Sequence, residues 1–186
     1  GALDGYTNDK DESFVDHDWD ENGFCKTYPD SHYQPATQNE DGTYEIENAG
    51  ELYWFAAQVN DGKITDADAV LTADITVNEG NVAGCDGRDW TPIIGIHYMG
   101  TFDGQGHVIR GLYFNDTRVG NIGLFSNLNK EGKIQNVGLE NSYFRGVAYV
   151  GGICAYSNGT IENCYNAGTI TAEYDYVGGL VANNFG

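Results

Sequence analysis

The stretch from Val150 to Gly186 repeats itself. Val150-Gly151-Gly152-Ile153 returns 27 residues later as Val177-Gly178-Gly179-Leu180. Gly132-Lys133-Ile134-Gln135-Asn136-Val137 returns at the same interval as Gly159-Thr160-Ile161-Glu162-Asn163-Cys164. A looser copy, Ile122-Gly123-Leu124-Phe125, precedes Gly152-Ile153-Cys154. A period of this size marks stacked units that bury their apolar faces against one another. The units are β in character. Short apolar runs rich in Val, Ile, Thr and Tyr are broken by Asn-Gly, Ala-Gly and Gly-Gly, and no helical stripe appears after Asn60.

About 27 residues hold three short strands and three turns, which is one coil of a parallel β-helix with coils roughly 4.8 Å apart. Like residues then stack: Ile134 under Ile161, Val137 under Cys164, Leu124 under Ile153 under Leu180, and Asn136 under Asn163 in an amide ladder. The recurring glycines are expected to supply positive φ at the corners. The expected fold is all-β, a right-handed parallel β-helix over residues 48–186. The repeat breaks off at Gly186 without a cap, so the domain is expected to continue in a longer protein or to be covered by a neighbouring molecule.

A helix is predicted near 49–60. Asn48 is placed to cap it, Glu51 to reach back to the cap amide, and Leu52, Phe55, Ala56 and Val59 to form its apolar stripe. Such a helix would cover the open edge of the first coil. Residues 69–77 (AVLTADITV) read as the first strand and Val108–Phe114 as a later one. Gly100 to His107 reads as a tight turn in which Asp103 bonds local amides.

Residues 1–47 form an acidic arm. Nine carboxylates stand against two lysines in the first 30 residues, and the whole chain carries a formal charge of −19. That surplus argues against nucleic acid and anionic membranes, and suits an extracellular, salt-tolerant or cation-binding protein. No apolar run reaches the ~18 residues of a membrane span. Asp16, Asp18 and Asp20 alternate before Gly23 as oxygen ligands do at the start of a calcium loop, so calcium is the cofactor considered, with a solvated acidic loop as the alternative. The spacing departs from an EF-hand, because Gly23 stands at position eight and Thr27 at position twelve. Cys154 and Cys164 occupy repeat positions and read as buried free thiols, with a pair as the alternative.

Catalysis on a β-helix needs paired carboxylates across a groove or a calcium-bound carboxylate cluster with a basic partner. The charges of the repeat body recur in no such motif, and His97 and His107 have no partner identifiable in the sequence. The chain is therefore expected not to be an enzyme. Tyr149 and Tyr176 lie one period apart and should stack at one corner. Aromatic ladders bind sugar rings or anchor protein interfaces, and they also stabilise solenoids on their own.

The segments IENAGELYWFAAQVNDG (46–62), LTADITV (71–77), WTPIIG (90–95), GTFDGQGHVIRGLYF (100–114), IGLFSNL (122–128), GKIQNVGLENS (132–142) and VGGICAYSNGTIENCYNAG (150–168) together resemble the bacterial surface proteins that carry GLUG motifs. The resemblance implies a right-handed parallel β-helix in a secreted or wall-attached protein. GLUG repeats also flank the catalytic part of immunoglobulin-A-cleaving metallopeptidases, whose His-Glu-x-x-His motif has no counterpart here. It thus implies a non-catalytic module for adhesion or recognition of a surface glycan or protein. The alternatives are a polysaccharide-acting enzyme and a structural spacer. Related chains often carry a Cys-x-x-Cys pair after Asn-Gly. Here Asn22-Gly23-Phe24-Cys25 is followed by Tyr28 in place of the second cysteine, so zinc binding through Cys25 is not expected.

Overall fold

The computed structural model describes residues 17–84 and 87–185. In chain order these form β1 (Thr37–Gln38), β2 (Tyr44–Ile46), α1 (Ala49–Asn60), β3 (Ala69–Leu71), β4 (Ile75–Thr76), β5 (Ile93–Gly95), β6 (Thr101–Asp103) and β7 (Val108–Arg110). There follow β8 (Tyr113–Asn115), β9 (Phe125–Leu128), β10 (Lys133–Gln135), β11 (Gly138–Gly146), β12 (Val150–Gly151) and β13 (Cys154–Ser157). The last four are β14 (Thr160–Glu162), β15 (Tyr165–Ala172), β16 (Val177–Gly178) and β17 (Val181–Asn184).

The strands wind into a parallel β-helix. One sheet runs β1-β2-β3-β6-β10-β14, a second β4-β7-β11-β15 with β8 also on β11, and a third β5-β9-β13-β17. Apart from the β1–β2 hairpin, every pairing between these strands is parallel, as successive coils in one direction require. The repeat-derived register is found: Ile134 pairs with Ile161, and Cys154 lies between Phe125 and Val181. The 27-residue interval holds between the last two coils. Earlier coils are longer, with Thr101 under Lys133 and Ile75 under Ile109, because longer connections join their strands, as between β4 and β5.

The core is a column of stacked side chains. Phe102, Phe125, Ile134, Leu139, Phe144 and Ile153 are fully buried. Their successors Ile161, Ile170 and Val181 are only partly buried, because no coil of the described residues lies on them. At about 25 cal/mol per Å² of apolar surface, stacking is the main stabilising term.

Helix α1 forms as expected. The Asn48 side chain accepts from the Glu51 amide at 2.9 Å, while the Glu51 carboxylate reaches the Glu47 amide at 3.3 Å. Leu52, Phe55, Ala56 and Val59 are buried against the coils, and Phe55 meets Tyr98 edge-on. Tyr53 is buried too, packed on Phe24 of the arm and on Trp90.

Three expectations need correction. Residues 69–77 are two strands in different sheets, because the chain turns a corner at 72–74 between β3 and β4. Val108–Phe114 likewise divides into β7 and β8 at Gly111, whose φ of +78° and whose approach to the Asn78 carbonyl leave no room for a Cβ. The third concerns the glycines of the repeat. Positive φ in the repeat body falls on Asn121, Asn136, Asn141, Tyr149, Asn163 and Tyr176. Asparagine tolerates that region because its short amide bonds locally, and Asn163 Nδ2 donates to Asn136 Oδ1 at 2.6 Å in the corner ladder. Gly151 and Gly178 serve close packing instead: an added Cβ would fall 2.1 Å from the Cys154 carbonyl oxygen and 1.9 Å from that of Val181.

Candidate functional site

The second sheet is the functional candidate. Ile109, Leu139 and Phe144 point inward and are fully buried, so strand alternation turns Arg110, Glu140, Tyr143 and Arg145 outward. Parallel register then stacks them coil on coil: Glu140 beside Arg110, Tyr143 beside Tyr113, Arg145 beside Asn115. A bulge between Glu140 and Tyr143 keeps both outside.

Charges and rings alternate across this face. The Arg110 guanidinium lies 3.5 Å from Asp74 and 3.3 Å from Glu140, so it bridges two carboxylates. His107 Nδ1 lies 3.1 Å from the same Asp74, whose Oδ1 also accepts from the Val108 amide. That amide and His107 hold the Asp74 carboxyl below its ordinary range. The Tyr165 ring lies over Gly138, where a Cβ would meet it at 2.2 Å, and its hydroxyl donates to Glu140 at 3.4 Å. Further along, Tyr113 and Tyr143 stack at 5.8 Å, and Arg145 donates to Glu173. Half-exposed aromatic rings between hydrogen-bonding charges suit a ligand with both apolar ring faces and hydroxyls. Sequence reasoning missed this face because Asp74, His107, Arg110, Glu140 and Tyr165 are scattered over 92 positions and share no motif.

Tyr149 and Tyr176 do stack, with centroids 4.5 Å apart and planes 5° apart. Both have positive φ, 54° and 69°, which is unusual for a bulky residue. Their facing surfaces are spent on each other, and Tyr176 stays half exposed. Asp16 lies outside the described residues. Asp18 is exposed and ion-paired with Lys26 at 3.0 Å. Asp20 Oδ1 accepts from the Asn22 and Phe24 amides at 2.8 and 3.0 Å, fixing the turn at Gly23. Among the described residues, Asp18 and Asp20 join no third metal-ligating side chain. Cys154 and Cys164 are free, and burial pushes the Cys154 thiol up to about 12. Cys85 lies outside the described residues. Asp103 accepts from the Gln105 amide at 2.8 Å, as expected of a turn residue.

The second cysteine absent at Tyr28 leaves Cys25 without a Cys-x-x-Cys partner, but the arm brings two histidines to it instead. Cys25 sits between His17 and His32, because the bridge Trp19–Cys25 and the bond from Cys25 N–H to the His32 carbonyl lay three short segments side by side. The signal is weak in sequence, since two histidines and one cysteine at uneven spacing match no zinc pattern.

Fold and face together define a class, the parallel β-solenoid modules with an exposed aromatic and charged sheet face. In sequence, the chain is 32% identical over 148 residues to halomucin of Haloquadratum walsbyi, a match covering 74% of this chain and 2% of halomucin. The chain thus spans a very small part of that relative. No family model matches the chain, and no solved structure matches it significantly. No helix among the described residues is long and apolar enough to cross a membrane.

Proposed function

We propose that this chain is a non-catalytic recognition module of a large extracellular protein, and that it holds glycan on the outward face of β4, β7, β11 and β15. The observation that carries the reading is the registered row of Arg110, Glu140 and Tyr165 beside the Tyr113–Tyr143 stack. Planar rings offer stacking surfaces to sugars, and the ion-paired side chains offer donors and acceptors to hydroxyls. Similarity to a long protein whose name is that of a mucin favours a module in a surface chain over a free-standing enzyme. The acidic surplus suits salty surroundings. The resemblance to GLUG-motif surface proteins points the same way, toward adhesion.

The non-catalytic part of the proposal rests on Asp74 and Glu140. Both carboxylates are engaged by one arginine, which opposes the split roles of acid and base that glycoside hydrolysis needs. A second reading, cleavage of an acidic polysaccharide, draws on His107 and Arg110 beside those same carboxylates. A glycan-binding screen with a parallel assay for released product separates the two. Binding without product, weakened about ten-fold or more in Tyr165→Ala, supports recognition. Product release that is lost in Arg110→Ala supports the enzyme. Protein-only binding moves the module to a protein partner.

A further inference from the structure

The geometry points to a transition-metal site in the acidic arm, with His17, Cys25 and His32 as ligands and zinc as the metal it suits best. One ligand atom from each residue lies within 4.8 Å of the other two. Cys25 Sγ and His17 Nδ1 are 3.5 Å apart. Zinc–sulfur and zinc–nitrogen bonds meeting at a tetrahedral angle place those atoms about 3.6 Å apart, so this edge of the tetrahedron is already formed.

The donor set selects the metal class. One thiolate and two imidazoles are borderline-soft ligands that favour zinc over the hard cations calcium and magnesium. The arm's carboxylates do not enter the group, although their charge draws cations toward it. On binding, the Cys25 thiol gives up its proton to solvent and both imidazoles ligate in neutral form, so the site gains one positive charge from the metal. Three protein ligands leave a fourth position for water.

Burial argues against the competing use of a cysteine beside a histidine. Cys25 is 1% exposed and His32 8%. A nucleophile so enclosed meets no substrate, whereas a structural ligand is normally enclosed. The rings are also held by their neighbours. His17 stacks on Trp19 at 5.0 Å, meets His32 edge-on at 4.7 Å, and His32 lies 5.0 Å from Tyr28.

The arm gives the site its purpose. Residues 17–33 hold no helix or strand; isolated bridges, local backbone bonds, the Lys26–Asp18 pair and the Arg88 contacts to Pro29 and the Phe24 ring tie them down. A metal joining 17, 25 and 32 would close both intervening loops and hold Phe24 on Tyr53 of the helix. The N-terminal end of the solenoid would then be fastened by a metal in place of a larger core.

The test uses the full chain, stripped with a chelator and titrated with cobalt(II). One equivalent should produce a thiolate-to-cobalt charge-transfer band with the visible bands of a tetrahedral centre, and zinc should abolish both. Cys25→Ser should remove the charge-transfer band, and His17→Gln, altered at the half-buried rim where folding is least at stake, should weaken cobalt binding by about ten-fold or more. Cys154→Ser and His97→Gln should leave both unchanged. Absence of the band in the wild-type chain overturns the inference. So does a band that survives Cys25→Ser and follows Cys85 or Cys164 instead.

Discussion

Glu51 gives the sharpest quantitative test of how the helix is seated on the solenoid. Glu51 is 5% exposed in the first turn of α1. Burial is the largest influence and pushes its carboxyl from 4.5 to about 7, against the bonds it accepts from the Glu47 and Asn48 amides. The folded chain therefore keeps a proton that the unfolded chain releases between those two values. Stability contributed by the neutral acid is complete below about pH 4.5 and is lost as pH rises through about 7. At 1.36 kcal/mol for each pH unit, the full loss is about 3 kcal/mol, of which about 2.5 kcal/mol falls between about pH 5 and pH 8.

Glu51→Gln removes the titration and keeps an oxygen for the Glu47 amide. Urea unfolding followed by tryptophan fluorescence should show the variant more stable than wild type at about pH 8, with the difference shrinking toward about pH 5. Taking the difference between the two chains cancels the other carboxylates. A difference that is independent of pH, or that grows as the solution is acidified, would refute the reasoning. It would mean that the helix N-terminus and its bonds stabilise the anion more than burial opposes it.

Other outcomes follow from the packing. Gly151→Ala should destabilise by about 2–4 kcal/mol in the same unfolding assay, because the clash is with backbone, while Gly179→Ala, with open space at its Cβ, should change stability by less than about 1 kcal/mol. Ile134→Ala should cost about 2–5 kcal/mol, and Ile161→Ala, one coil on and partly exposed, clearly less. At the corner, Asn136→Ala should cost about 1–2 kcal/mol, and Asn136→Gly should recover the backbone part of that loss, since φ is 55° there.

The repeat made the solenoid legible because stacking requires like residues at like positions. Ile134 over Ile161 and Asn136 over Asn163 were readable for that reason, as were the Tyr149–Tyr176 stack and the capped helix. The first coils were harder. The longer connections between their strands hide the period, so 69–77 read as one strand when the chain turns at 72–74. In sequence, glycine stands out as the source of corner geometry that asparagine and tyrosine supply, because a string of letters does not separate freedom of φ from lack of space. Arg110, Glu140 and Tyr165 meet only through the register of parallel coils, and the bulge at Asn141 shifts the count. The pairing of Cys25 with His17 and His32 depends on two local turns that carry no repeat at all.

The most direct test of glycan recognition by the second sheet is hydrogen exchange on the full chain, with and without the best ligand from a glycan screen. Protection centred on β7, β11 and β15, and lost in Tyr165→Ala, is the predicted result. Protection confined to the Tyr149–Tyr176 corner or the acidic arm would contradict it, as would a screen in which no glycan binds.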